Sequence, residues 1–324
     1  MSQLSAAVLD PVRVGVFGAG RIGTSHATLL RREVPGARLV AVADVRPEAA
    51  AALEAVVIAA SSTAHADLIV AAAQAGKAVF CEKPAGTTLA EIDRGLAAVR
   101  AAGVPLQVGF NRRFAPEFAH ARRLVDEGAV GIPQLMRSVT RDPALADPGA
   151  VPPGTIFTQT LIHDFDTLLW LNPGAEVVSV HATADALVAP DFKDSGLLDT
   201  AVVVLTFDNG AIAVAEASFS ATYGYDVRAE VFGSGGMVTM GEGATSSLRL
   251  SDGRGRLAPT ARGDVELLRG AYVGELAAFA EAVRAGTQPV ATGHDARRAL
   301  RVALACVDSA ATGSTVRLGK DGEQ

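Results

Sequence analysis

Cysteine is nearly absent: Cys81 and Cys306 are the only two in 324 residues, and no CxxC spacing occurs. That argues against a thiolate zinc site and suits a reducing cytoplasm. Basic blocks are also missing. The 29 basic and 35 acidic residues give a net charge of −6, which speaks against a nucleic-acid partner. Met1 to Asp10 lacks a basic segment followed by an apolar one, so no signal peptide is expected. Apolar stretches are broken, by His65, Asp67 and Lys77 among others, well short of the ~20 residues a membrane span requires. No HxxxH spacing or carboxylate cluster suggests a metal, and His26, His120, His181 and His294 read as structural or surface residues. The expectation is a cytoplasmic protein of two domains, long enough for a sizeable core.

Alanine and glycine are abundant, and their arrangement is ordered. Val12–Gly18, Arg38–Asp44, Val56–Ala60, Ala78–Glu82 and Leu106–Phe110 read as short apolar strands. Helices fill the gaps: one through Arg32, one over Ala64–Ala75, and one capped by Thr87 or Thr88 and ended by Gly103. Such alternation predicts an α/β unit with a parallel sheet covered on both faces. After residue 110 the rhythm changes. A helix opens at Pro116, a strand covers Gln134–Arg141, and a Pro/Gly-rich loop leads to a helix over Thr158–Leu171. Strands then dominate: Val177–Ala184, Thr200–Phe207, Ala211–Phe219, Val227–Phe232 and Met237–Met240, with hairpin signals at Asp208-Asn209-Gly210 and Gly233-Ser234-Gly235-Gly236. This predicts an α+β domain with an open, mostly antiparallel sheet over residues 115–324, following a dinucleotide-binding domain over 1–114. Helices over Val273–Ala285 and Asp295–Ala311 complete the chain.

Gly18-Ala19-Gly20-Arg21-Ile22-Gly23 fits GxGxxG, follows a strand and opens a helix, the context a dinucleotide site requires. Gly18 permits the tight turn, Gly20 lets backbone amides approach a pyrophosphate, and Gly23 lets helix and strand pack closely. Asp44, 21 positions after Gly23, suits ribose hydroxyls and favours NAD over NADP, although Arg46 could pair with a 2′-phosphate. Ser61, Thr63 and His65 follow a strand's carboxyl end, where ligands bind in such sheets, and are expected to contact the cofactor.

Three further motifs, Cys81-Glu82-Lys83-Pro84, Val108-Gly109-Phe110-Asn111-Arg112-Arg113-Phe114 and Ile162-His163-Asp164-Phe165-Asp166, join the glycine turn. Together they resemble the glucose–fructose oxidoreductase/inositol dehydrogenase (Gfo/Idh/MocA) family from about Val12 to Leu318. The double arginine, Thr140-Arg141-Asp142-Pro143 and Tyr223-Gly224-Tyr225-Asp226 are similar to the inositol 2-dehydrogenases in particular. The resemblance implies a Rossmann domain, a second domain whose open sheet packs on another subunit of a dimer or tetramer, and hydride transfer between NAD(P) and a cyclic polyol or pyranose sugar. It implies that Glu82 and Lys83 adjoin the cofactor and that Lys83 positions the reacting hydroxyl. His163 becomes the general base, a role suited to a side chain that titrates near neutral pH. Arg113, Asp142, Tyr223 and Tyr225 become substrate contacts.

Two departures stand out. Gln159 occupies the place, four residues before His163, where the family carries Asp, so the imidazole is expected to be less basic unless Asp164 or Asp166 compensates. Only Val45 to Glu54 separates Asp44 from the next strand, about one αβ unit less than the family carries, which should leave Asp44's strand at the sheet edge. Both departures also fit an alternative: a non-catalytic NAD- or sugar-binding sensor or scaffold on the same fold.

Overall fold

The computed structural model describes residues 10–42, 53–241, 248–253 and 255–319. Two compact units emerge, one of Met1–Gly109 with Tyr272–His294, the other of Phe110–Ala271 with Asp295–Gln324.

In the first unit, β1 (Val12–Phe17), β2 (Ala37–Val42), β3 (Ala55–Ile58), β4 (Ala78–Cys81) and β5 (Leu106–Val108) form one sheet in the order β2-β1-β3-β4-β5. All four strand pairs are parallel. β3, β4 and β5 are buried at every residue, as continuous apolar runs require when both faces are covered. β2 lies at the edge and alternates exposure, with Val40 and Val42 facing solvent. This is the doubly wound order with its outermost strand removed, the edge anticipated from the short connection. Helices α1 (Arg21–Arg32), α2 (Ser62–Gln74) and α3 (Leu89–Ala102) alternate with the strands.

One element lies elsewhere than expected. The helix Arg269–Ala285, assigned by sequence to the second domain, joins the first unit from Tyr272 onward. Phe279 packs edge-on against Phe80, Gln107 Nε2 donates to the Glu275 carbonyl at 2.8 Å, and Val108 N–H donates to Ala291 O. An apolar stripe finds its partner by shape, which sequence position does not reveal.

The second unit contains α4 (Pro116–Asp126), β6 (Pro133–Arg141), α5 (Ile162–Trp170), β7 (Val177–Asp185), β8 (Thr200–Phe207), β9 (Ile212–Ser218), β10 (Asp226–Gly233) and β11 (Gly236–Met240). A small hairpin of β12 (Leu250–Asp252) and β13 (Gly255–Leu257) follows. The large sheet runs β11-β10-β6-β9-β8-β7-β14, where β14 (Val316–Arg317) is a short terminal strand the sequence reading lacked. Every pair is antiparallel except β6–β9. α5 packs on β6 and β9, and Ser309 of the last helix, Gly293–Thr312, accepts from Ala182 N–H on β7.

α3 shows how local sequence sets these elements. Thr88 accepts from Glu91 N–H while Glu91 Oε2 accepts from Thr88 N–H, a reciprocal cap, and Gly103 closes the helix in the left-handed region. The Thr87 hydroxyl and both threonine N–H groups hold the Glu91 carboxyl below the usual carboxylate range. Thr88→Ala should lower unfolding stability by about 1 kcal/mol in urea titrations at neutral pH. Because the folded-state value is depressed, Glu91's share is present above the unfolded value and fades as pH falls through the folded one. A loss that persisted unchanged in acid for Glu91→Gln would contradict this.

Candidate functional site

The first unit carries the dinucleotide turn. Gly18 has φ +101°, and a Cβ there would collide with the Ala59 carbonyl. A Cβ at Gly23 would strike the Gly18 carbonyl, whereas one at Gly20 meets no atom within 4 Å. The turn is therefore closed by glycine at two points and open at the third, on the side where a pyrophosphate must approach the backbone. Gly20 is the N-cap of α1, no acidic residue stands in the helix's first turn, and Arg21 is exposed. An anion at this helix start meets first-turn N–H groups that no helix satisfies internally. The residues present fit a dinucleotide. Ser61, the N-cap of α2, and Thr63 are exposed and within 3.2 Å of one another through their hydroxyls. Asp44 and Arg46 lie outside the described residues.

His65 and Glu82 are placed differently from expectation. His65 is buried: its Nδ1 lies 2.7 Å from the Pro84 carbonyl and its Nε2 3.1 Å from the Ala60 carbonyl. Carbonyls only accept and a neutral imidazole carries one N–H, so the shorter contact assigns that hydrogen to Nδ1, which donates to Pro84 and ties the Lys83–Pro84 segment to α2. Glu82 turns its carboxylate to the buried His26, whose Nε2 donates to Oε1 at 2.7 Å. Lys83, half-buried, therefore sits between two residues that are each fixed by a buried histidine.

In the second unit, the regular helix expected over Thr158–Leu171 divides. Ile156–Thr160 forms a π-turn, closed by Leu161 N–H to Ile156 O, and α5 begins at Ile162. Gln159 thus lies in the π-turn and His163 in the α-helix that follows it. Single π-turns recur at functional sites. His163 meets the ring of Phe110 edge-on, with centroids 6.1 Å apart.

Asp164 and Asp166 face away from any supporting role for His163, because arginines take both. Arg112 donates to Asp164 Oδ1 at 2.7 Å; Ser138 and Thr140 of β6 donate to the same carboxylate at 2.5 and 2.6 Å, and Arg112 also reaches Thr140. Arg113, expected at the substrate, is 5% exposed. It grips Asp166 with two bonds of 2.9 and 2.6 Å, pairs with Asp295 at 3.1 Å and lies over Trp170. Burial disfavours its charge, but the two carboxylates more than offset that and hold the guanidinium cationic. The two aspartates flank Phe165 on the helix that bears His163, so that helix is bolted to the 110–114 segment. Sequence reading missed this because about fifty residues separate each pair.

Tyr225 is half-buried; burial, then the nearby Asp142 carboxylate, pushes its phenol far up, so it stays a hydroxyl donor beside an acceptor. Tyr223 is exposed, donating to Asp226 Oδ2 at 2.6 Å and accepting from Arg141 at 3.3 Å.

Residues 49–110 match the oxidoreductase family, NAD-binding Rossmann fold, and residues 118–239 match the GFO/IDH/MocA C-terminal domain. The chain is 38% identical over 323 residues to the inositol 2-dehydrogenase of Rhizobium meliloti (strain 1021), across 93% of this chain and 97% of that protein. The chain belongs to the GFO/IDH/MocA family. It is also 35% identical to the scyllo-inositol 2-dehydrogenase (NAD(+)) of Bacillus subtilis (strain 168), over 335 aligned positions that cover 95% of this chain and 96% of that one. That span exceeds the 324 residues here, so the relative carries residues this member lacks. A crystal structure of scyllo-inositol dehydrogenase from Lactobacillus casei with bound NAD(H) and scyllo-inositol superimposes with a TM-score of 0.89 at 26% identity, over 95% of this chain and 99% of that one. Among the described residues of this family member, no helix is long and apolar enough to cross a membrane.

Asp164→Ala should strand the buried Arg112 charge and cost about 3–5 kcal/mol in denaturant unfolding. A cost under about 1 kcal/mol would show that Ser138 and Thr140 suffice to hold the guanidinium.

Proposed function

We propose that this chain is an NAD-dependent dehydrogenase that oxidises one CH–OH group of an inositol-type cyclic polyol. Its identity with inositol 2-dehydrogenases over more than nine-tenths of both chains carries the reading, and it favours catalysis over a sensor or scaffold. NAD, held by the Gly18–Gly23 turn with Ser61 and Thr63, supplies the acceptor for the hydride. His163 takes the hydroxyl proton as the C–H bond breaks. Lys83 donates to the substrate oxygen and favours its developing negative charge. Gln159 orients the base without adding charge to it. Tyr225 as donor and Asp142 as acceptor match a ring carrying adjacent hydroxyls. Tyr223 contributes at the rim, and Arg113 acts through the helix it anchors.

The partner is a second copy of the chain. Met237, Phe232, Leu135 and Ile212 are exposed and directly paired across β11, β10, β6 and β9, so they form one apolar ladder on an uncovered sheet face. The two cysteines, both free and buried, fit a cytoplasmic setting.

Incubation with NAD and myo- or scyllo-inositol should generate NADH, and His163→Ala should lower kcat/KM by about 100-fold or more. Gln159→Asp should raise kcat at neutral pH by restoring a charge beside the base. No turnover of any polyol or sugar with either nicotinamide cofactor would end this reading. Light scattering should give a dimer or larger, with Leu135→Glu and Phe232→Glu together shifting it to monomer; a monomeric parent protein would refute the sheet-face assembly.

A further inference from the structure

Glu275 is fully buried on the helix Arg269–Ala285, and neither carboxyl oxygen has a hydrogen-bond partner. Its backbone is fixed by Gln107 from β5. Two other ionisable groups face it: Glu82 from the end of β4 and His26 from α1, with one oxygen or nitrogen of each of the three lying within 4.8 Å of the others. The surroundings are aromatic. Phe80 and Tyr272, the latter on Glu275's own helix, stand edge-on to the His26 imidazole at 5.5 and 5.8 Å. Two ionised carboxylates in such a wall are costly. Burial and, secondarily, the Glu82 charge push the Glu275 carboxyl well above the usual range.

A proton or a divalent cation could relieve this, since one histidine and two carboxylates also make a metal-ligand set. The contact between His26 Nε2 and Glu82 Oε1 favours the proton. At 2.7 Å it has the length of an N–H···O bond, and a nitrogen carrying that hydrogen has no lone pair for a metal.

We propose that His26, Glu82 and Glu275 form a positioning triad in which Glu275 is the neutral acid and, with His26, fixes the Glu82 carboxylate and so the adjoining Lys83. A proton on Glu275 leaves no second negative charge within 4.8 Å of the Glu82 carboxylate and gives Glu275 a donor whose neighbouring acceptor is Glu82, while His26 donates to Glu82 at 2.7 Å. The three groups together then carry a single negative charge, and Lys83 enters its turn from a fixed neighbour. The catalytic consequence rests on the dehydrogenase reading; the proton on Glu275 does not.

Infrared difference spectra of the full chain at neutral pH, parent minus Glu275→Gln, should contain the carbonyl stretch of a protonated carboxylic acid. Its absence overturns the proposal. Glu275→Leu should lower kcat about tenfold or more with a smaller change in KM for NAD, and Glu275→Gln, which keeps a donor, should restore most of it. Equal losses in the two variants would overturn the positioning role. If Glu275→Leu does not fold, the infrared band and the activity of Glu275→Gln still decide. Stoichiometric zinc or manganese retained through desalting by the parent and lost in Glu275→Gln would replace the proton with a metal. A parent protein that turns over no polyol would refute the dehydrogenase reading while leaving the infrared result to judge the triad.

Discussion

Lys83 stands in a turn after β4, where a flexible side chain on a flexible backbone would lose its aim. The hydrogen bonds on either side of it prevent that: His26 holds the Glu82 side chain and His65 holds the Pro84 carbonyl. Both histidines are buried, so water does not compete for these bonds, and each comes from a helix that the parallel sheet itself positions. The sheet order therefore reaches Lys83 through two short polar contacts.

His163 is placed by the same logic with different chemistry. Arg112 and Arg113, adjacent in sequence, reach Asp164 and Asp166 on α5, and Ser138 and Thr140 complete the first pair. Buried ion pairs add little net stability against an apolar alternative, because desolvation consumes the Coulomb gain. They are directional, however, and bidentate guanidinium geometry fixes orientation as apolar packing does not. The polar interior of the second unit thus serves registry of the helix that carries His163.

The glycine turn was legible because its constraint is local. Whether a Cβ fits at Gly18 or Gly23 depends on the strand and helix a few residues away, and the pattern encodes both. The cap of α3 and the edge position of β2 were legible for related reasons: one is four residues long, and the other follows from the length of a connection. His65 misled. A histidine after a strand's carboxyl end has two possible partners, ligand or backbone, and only the position of Pro84, nineteen residues away, chooses between them. Arg113 misled likewise, since its partners Asp166 and Asp295 lie far along the chain.

By itself the sequence determined the order of elements, the dinucleotide turn and the family, because periodicity, glycine sterics and short motifs act within a turn or two of chain. The π-turn at Gln159, the return of Tyr272–His294 to the first unit and the meeting of His26, Glu82 and Glu275 were decided by tertiary structure alone. Each of these depends on which buried surface a helix finds and which polar groups are then left facing one another, a matter of shape and desolvation that no local pattern records.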